Sequence, residues 1–228
     1  MILWGIYGDL LAEEFKVLKV MRSLAIGILW SLYLFIIDSN LPLFIVALSV
    51  ISLERITTEI YKALVRKESQ TKYSIPSDLN LRYNRGIKIV LASLLYLTLA
   101  FAVYYLDIGK ANIYLALTMG LFVALGGMLK DAPFEGFSPS KFLRSPTIGI
   151  IIGFLVLNYF PTLNGKFYLL SIAGAERIVS ECYKKIICGR IPGKFKTKLF
   201  NAAWQRKRRW ILIPYSATII ILFLLSIL

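Results

Sequence analysis

The stretch "ERITTEIYK", residues 54–62, returns in altered form as "ERIVSECYK", residues 176–184. The two nonapeptides lie 122 residues apart, and each follows a run of apolar residues. A charged segment that ends an apolar run twice, at one fixed spacing, indicates an internal repeat. The spacing of 122 residues therefore organises the chain, and every other position can be compared at the same offset.

The match extends upstream of the nonapeptides, from residue 62 back to residue 9. Asp9 aligns with Asp131, and the segment "RSLAIGI", 22–28, aligns with "RSPTIGI", 144–150. Self-similarity over so long a stretch, without gaps, is typical of a duplicated structural unit. We therefore predict that the chain contains two copies of one helical unit.

The chain is far more apolar than an average globular domain. Hydrophobic residues make up 57% of its 228 residues, and its mean hydropathy is +0.68, whereas soluble domains average about 45–50% apolar residues. The long apolar runs predict an all-α, polytopic integral membrane protein with seven transmembrane helices. The predicted spans are 23–37, 41–56, 87–106, 112–129, 146–160, 166–180 and 210–228.

The distribution of Lys and Arg sets the predicted orientation. If the N-terminus is cytoplasmic and the seven spans alternate, all of the 27 basic residues except Lys110 and Lys166 fall on the cytoplasmic side. Basic residues are concentrated in this way in the cytoplasmic loops of membrane proteins. The sequence therefore predicts a multi-pass protein of the cell membrane, with a cytoplasmic N-terminus and an extracytoplasmic C-terminus.

Repeat and topology together predict a 3+1+3 arrangement. Each repeat holds three spans, and a fourth span between the repeats restores their common direction, so the two pseudo-symmetric repeats are parallel. We place repeat 1 at 1–106, a linker helix at 107–129 and repeat 2 at 130–228. This plan resembles that of the SWEET sugar transporters, which implies a passive path between the repeats. The proline–glutamine motif of that family does not occur in this chain, so the resemblance assigns no residues.

Two Ser-Pro pairs predict helix starts near the second repeat. Ser138-Pro139 and Ser145-Pro146 each place a capping residue before a proline, which fits the first turn of a helix. The pattern predicts a short helix over 139–144 and a separate helix that begins at 146.

The nonapeptides are the candidate functional segments. At 100° per residue, the polar side chains of 54–62 occupy one half of a helix, and Leu53, Ile56 and Ile60 occupy the other. Ionisable side chains at the edge of an apolar helix are candidates for function. Because the first helix begins where the second ends, we expect Arg22 to lie near Glu54 and Glu59. The same relation would bring Arg144 near Glu176 and Glu181.

These residue types suit an anionic ligand with a phosphate, because guanidinium, ammonium and tyrosine groups donate hydrogen bonds to phosphate oxygens. The candidate ligand- or phosphate-binding residues are Arg22, Arg55, Tyr61, Lys62, Lys141, Arg144, Arg177, Tyr183 and Lys184. Carboxylates spaced four residues apart also suit Mg²⁺, which prefers oxygen ligands. The candidate metal ligands are Asp9, Glu13, Glu54, Glu59, Asp131, Glu135, Glu176 and Glu181.

The leading hypothesis is a cytosol-facing polar site that recognises an anionic lipid or a phosphorylated amphiphile, with a divalent metal as a candidate cofactor. Two alternatives stay open: a SWEET-like passive transporter, and duplicated charges that only staple helices together. The chain has no histidine, which excludes imidazole metal sites and Ser-His-Asp triads. Whether it is an enzyme is left open.

The basic segment 184–210 indicates the partners. Its cluster "RKRR", 206–209, would attract the anionic lipids of an inner leaflet. No basic stretch outside the apolar runs is long enough to form a nucleic-acid-binding domain, so the predicted partners are membrane lipids and no nucleic acid.

Overall fold

A computed structural model describes residues 17–65, 85–115, 117–118, 121–122, 139–183 and 217–227. Its helices are α1 (Val17–Ile37), α2 (Leu43–Ile60), α3 (Arg85–Tyr105), α4 (Pro139–Tyr159) and α5 (Gly165–Cys182). Helix α2 continues into a π-helical turn, Tyr61–Val65. Further helical residues lie within 113–122 and at 217–227. In this described part of the chain, β pairing is limited to one isolated bridge between Lys110 and Asn164, so the prediction of a helical protein agrees with the structure.

The predicted membrane spans are wrong. In the described ranges, no helix is both long enough and apolar enough to cross a bilayer. The reason is the placement of the charges, which lie inside the helices rather than beyond their ends. Arg22 lies in α1, Glu54 and Arg55 lie in α2, and Arg177 lies in α5. The uncharged stretches that remain, such as 23–37 in α1, fall short of the roughly 20 residues that a spanning helix needs.

Two further predictions change with this finding. The seven-span, 3+1+3 plan is not supported, and the hypothesis of a transport path between two transmembrane repeats loses its basis.

The predicted break at residue 145 is absent, because α4 is one helix that continues through Pro146. A proline inside a helix removes one backbone hydrogen bond, and α4 tolerates this loss within its second turn.

The helices begin and end at positions that follow the 122-residue offset of the sequence repeat. Helices α4 and α5 have the bounds of α1 and α2 shifted by 122 residues at both ends. Helix α1 packs against α2, α4 packs against α5, and α2 and α5 pack against each other in the middle. The division into 1–106, 107–129 and 130–228 stays a prediction, because the structure does not describe the chain around the second boundary, at residues 129 and 130.

The core lies between α2 and α5 and extends to α1 and α4. Its fully buried side chains include Leu34, Ile45, Leu53, Tyr168 and Ile172. The Tyr168 hydroxyl donates to the carbonyl oxygen of Gly153 at 2.8 Å, which satisfies the buried phenol. Burial raises the pKa of Tyr168 to about 12. This bond ties α5 to α4 in the interior of the second repeat.

The starts of α2 and α5 lie at the same end of the bundle. Phe44, in the first turn of α2, stacks on Phe160, which precedes α5, with ring centroids 6.4 Å apart. The segment after α3 joins this end, since the Gly165 N–H donates to the Gly109 carbonyl oxygen at 2.6 Å. The two nonapeptides consequently end together at the opposite end of the bundle.

Candidate binding site around Arg22 and Tyr61

The site is built where α2 changes from an α-helix to a π-helical turn. The backbone N–H of Tyr61 reaches the carbonyl oxygens of both Thr57 and Thr58, and the wider turn continues to Val65. Turns of this kind expose backbone groups and are frequent at functional sites. Here the turn carries Tyr61 out from the end of α2 toward the start of α1.

Arg22 of α1 lies against this tyrosine. Its guanidinium carbon, Cζ, is 4.7 Å from the centroid of the Tyr61 ring, within the range of a cation–π interaction. The Nε atom of Arg22 is buried and has no hydrogen-bond partner among the described residues. A buried N–H of a charged group without an acceptor is costly, and among the described residues none supplies the oxygen that this donor needs.

Helix α3 brings a second tyrosine to the same place. The Tyr96 hydroxyl donates to the carbonyl oxygen of Thr57 at 3.3 Å. Burial raises the pKa of Tyr96 and the nearby Tyr61 raises it further, whereas the positive charge of Arg22 acts in the opposite direction. Tyr96 therefore lies close enough to Arg22 and Tyr61 for both to affect its pKa.

Thr57 connects this group to the rest of α1. Its hydroxyl donates to the Leu53 carbonyl oxygen at 2.8 Å and accepts from the Trp30 indole N–H at 2.9 Å. Trp30 in turn contacts Tyr33 edge-on, with ring centroids 5.6 Å apart. These bonds hold α1 against the last turns of α2 and fix the distance between Arg22 and Tyr61.

The two nonapeptides contain equivalent hydrogen bonds between residues four apart. The Thr58 hydroxyl donates to Glu54 Oε1 at 2.9 Å, and the Ser180 hydroxyl donates to Glu176 Oε1 at 2.5 Å. Each carboxylate is thus bound to the hydroxyl one turn later in its own helix. We expected Arg22 to lie near Glu54. In the structure the Arg22 guanidinium contacts the Tyr61 ring.

The other predicted site residues fall into three groups. Four have described side chains that interact within the protein: Arg55, Glu59, Arg177 and Tyr183. Four lie in helical or π-helical backbone, but their side chains are outside the described residues: Lys62, Lys141, Arg144 and Glu181. Five lie wholly outside the described residues: Asp9, Glu13, Asp131, Glu135 and Lys184.

The described residues do not form a metal site. No group of three or more Cys, Asp or Glu side chains that could hold a metal ion occurs in the part of the chain that the structure describes. The prediction of Mg²⁺ therefore depends on carboxylates whose positions are not described, and it stays a prediction.

Three residues of the site were not predicted: Trp30, Thr57 and Tyr96. Trp30 lies eight residues after Arg22, so it occupies the same face of α1 two turns later, and that spacing could have identified it. Thr57 and Tyr96 become important only through contacts between helices, which the sequence pattern does not define.

Comparison of the chain with protein-family models, with curated proteins and with solved structures finds no match in any of the three. The chemistry of the site is therefore inferred from its geometry alone.

Proposed function

We propose that this protein binds an amphiphile with an anionic headgroup, such as a phosphate, at the site formed by Arg22, Tyr61 and Tyr96. One observation carries the proposal. The buried Nε of Arg22 has no hydrogen-bond acceptor among the residues that the structure describes, although the guanidinium is held in place by the Tyr61 ring.

An oxyanion would supply an acceptor for the Nε of Arg22, which none of the described residues provides. Guanidinium groups bind phosphate and carboxylate oxygens with short, charge-assisted hydrogen bonds. Glu54 and Glu176 each already accept a hydrogen bond from a hydroxyl of their own helix. The net charge of +14 also favours an anionic partner over a cationic one.

The surface beside Arg22 suits the apolar part of such a ligand. On α1, Leu18 is 85% exposed and Leu29 is 66% exposed, and Met21 is also exposed. Ile56 of α2, which belongs to the first nonapeptide, is exposed as well. Contiguous exposed apolar surface marks a binding surface for a protein partner or a lipid. An apolar surface next to a guanidinium whose Nε has no acceptor among the described residues fits an amphiphile, and we propose anionic membrane lipids as its source.

Native mass spectrometry of the full chain with a short-chain phosphatidic acid tests the proposal. The Arg22→Gln variant should bind this lipid about tenfold more weakly than the unaltered chain, because a hydrogen bond to a charged group contributes roughly 1.5–3 kcal/mol. Lys110→Gln is the matched control, since it removes one positive charge from an exposed side chain at the other end of the bundle. It should bind as the unaltered protein does.

Two probes separate the parts of the ligand. Inorganic phosphate alone should bind far more weakly than the lipid if the apolar surface contributes. A zwitterionic phosphatidylcholine of equal chain length should bind more weakly if the anionic charge contributes. Equal binding of phosphatidic acid by the unaltered chain and by Arg22→Gln would show that this site is not the binding site.

A structural role for the duplicated carboxylates is the second candidate, and the paired hydroxyl–carboxylate bonds favour it. If Glu54 and Glu176 only stabilise the ends of α2 and α5, then Glu54→Gln should lower the melting temperature and leave lipid binding unchanged. Loss of lipid binding in Glu54→Gln, at an unchanged melting temperature, would instead place this carboxylate in the binding site.

A further inference from the structure

The second repeat reproduces the helix end at which Tyr61 lies in the first. Tyr183 directly follows α5 in π-helical backbone, and its N–H reaches the carbonyl oxygens of Val179 and Ser180. Tyr61 does the same at the end of α2 with Thr57 and Thr58. Tyr61 and Tyr183 are 122 residues apart, so both tyrosines leave their helices at equivalent points.

Three other features match at the same offset. The bond from Ser180 to Glu176 repeats the bond from Thr58 to Glu54. Helix α4 starts 122 residues after α1 and packs against α5 as α1 packs against α2. The position that Arg22 occupies in α1 is occupied in α4 by Arg144. Backbone register and helix packing therefore place an arginine position and a tyrosine turn together in both repeats.

We infer that the chain has a second binding site for an anionic headgroup, which depends on Arg144 and Tyr183, so that one protein molecule binds two amphiphiles. This inference rests on the proposed function of the first site, and it adds that each protein molecule binds two ligand molecules. Because both nonapeptides end at the same end of the bundle, the two sites lie on one face of the molecule.

The two sites differ in the residues that surround the arginine and the tyrosine. The positions of Trp30, Thr57 and Tyr96 are taken in the second repeat by Ile152, Val179 and Thr218. At these three positions the second repeat therefore does not carry the indole, the bridging hydroxyl and the second phenol of the first site. With fewer polar groups to hold the headgroup, the second site binds the same lipid more weakly than the first.

Native mass spectrometry that counts bound molecules tests this inference. With increasing short-chain phosphatidic acid, the full chain should bind one molecule and then, at about tenfold higher concentration, a second. Arg22→Gln should lose the tighter molecule, Arg144→Gln should lose the weaker one, and the double variant should lose both. Arg144→Lys, which keeps the charge, should restore part of the second binding.

The outcomes separate the two proposals. Binding of a single molecule that depends on Arg22 but is indifferent to Arg144→Gln overturns the second site and leaves the first in place. Absence of any binding to the unaltered chain overturns the proposed function and the second site together. Circular dichroism melts of the five proteins show whether a loss of binding reflects a loss of folding. A folded Arg144→Gln that still binds two molecules contradicts the inference.

Discussion

At the scale of single residues, the serines at the contact between α2 and α5 carry an unusual cost. Ser49 and Ser171 are fully buried, and their hydroxyls have no hydrogen-bond partner within the part of the chain that the structure describes. Other helical serines bond to a carbonyl one turn earlier, as Ser31 does to Gly27 at 2.8 Å. Ser49 and Ser171 are equivalent positions of the repeat, so both halves of the molecule bear the same cost.

Removal of either hydroxyl should therefore stabilise the fold. An unsatisfied buried polar group costs about 1–3 kcal/mol, and we expect Ser49→Ala and Ser171→Ala each to raise the free energy of unfolding by about 1 kcal/mol. Chemical denaturation monitored by circular dichroism measures the change.

The control for this prediction is Ser180→Ala. Ser180 is also buried, but its hydroxyl bonds to Glu176, so its removal should lower stability. A loss of stability in both Ser49→Ala and Ser171→Ala would mean that these hydroxyls have a partner in solution, and the prediction would be wrong.

At the scale of helices, the contact between α2 and α5 is set by a glycine. A Cβ atom at Gly174 would clash with the carbonyl oxygen of Leu48. The neighbour is backbone, which cannot move aside as a flexible side chain could. The two helices therefore approach as closely as they do only because residue 174 has no side chain.

Gly174→Ala should consequently force α2 and α5 apart and destabilise the protein by about 1–3 kcal/mol, the usual cost of overpacking. Gly86→Ala is the matched control, because a Cβ atom there would meet nothing within 4 Å. In that helical position alanine should raise stability by up to about 1 kcal/mol. Similar melting temperatures for the two variants would contradict the role of Gly174.

The connection between α3 and α5 is held by a separate group of polar contacts. Asp107 Oδ1 accepts from the Gly109 N–H at 2.9 Å and from the Asn164 amide at 2.8 Å. Asn164 caps α5 by accepting from the Lys166 N–H at 3.0 Å. Gly109 has a φ of 72°, a left-handed conformation that favours glycine, so the turn depends on this residue.

This group gives the protein a pH dependence on the acid side. The Gly109 N–H lowers the pKa of Asp107 most, the Asn164 amide lowers it next, and the charge of Lys166 adds to both. A carboxylate whose pKa is lower in the folded state stabilises the fold above its ordinary pKa of 3.8. That contribution is lost as the pH falls below about 4.

The measurement compares the unaltered chain with Asp107→Asn by denaturation at pH 7 and pH 3. The unaltered chain should lose more stability between the two pH values than the variant, which has no carboxylate to protonate at residue 107. An equal loss in both proteins would assign the acid sensitivity to other groups.

At the scale of the whole molecule, the apolar pattern located several helices but predicted membrane spans that the described helices do not form. Predicted segments at 41–56 and 87–106 correspond to α2 and α3, because runs of Leu, Ile, Val and Ala favour a helix wherever it packs. The prediction of membrane spans failed because the helices extend into the charged segments. Hydropathy alone defines the apolar run, whereas the helix ends depend on packing partners.

The candidate site was predictable in its position and not in its contacts. That Arg22 lies near the end of α2 follows from two antiparallel neighbouring helices, which the sequence indicates. The choice of the Tyr61 ring over Glu54 depends on the π-helical turn and on Thr58, whose hydroxyl takes Glu54 as its partner. Such choices between nearby groups require atomic positions.

The packing of α2 on α5 also bears on ancestry. Helices α2 and α5 are equivalent in the two copies of the repeat, and they pack against each other. In a twofold-symmetric dimer, identical surfaces of the two subunits pack together in the same way. An ancestral chain of half the length would carry on its surface the same stripe that α2 now presents to α5. Two such chains would associate through that stripe, and gene fusion would have made the association permanent.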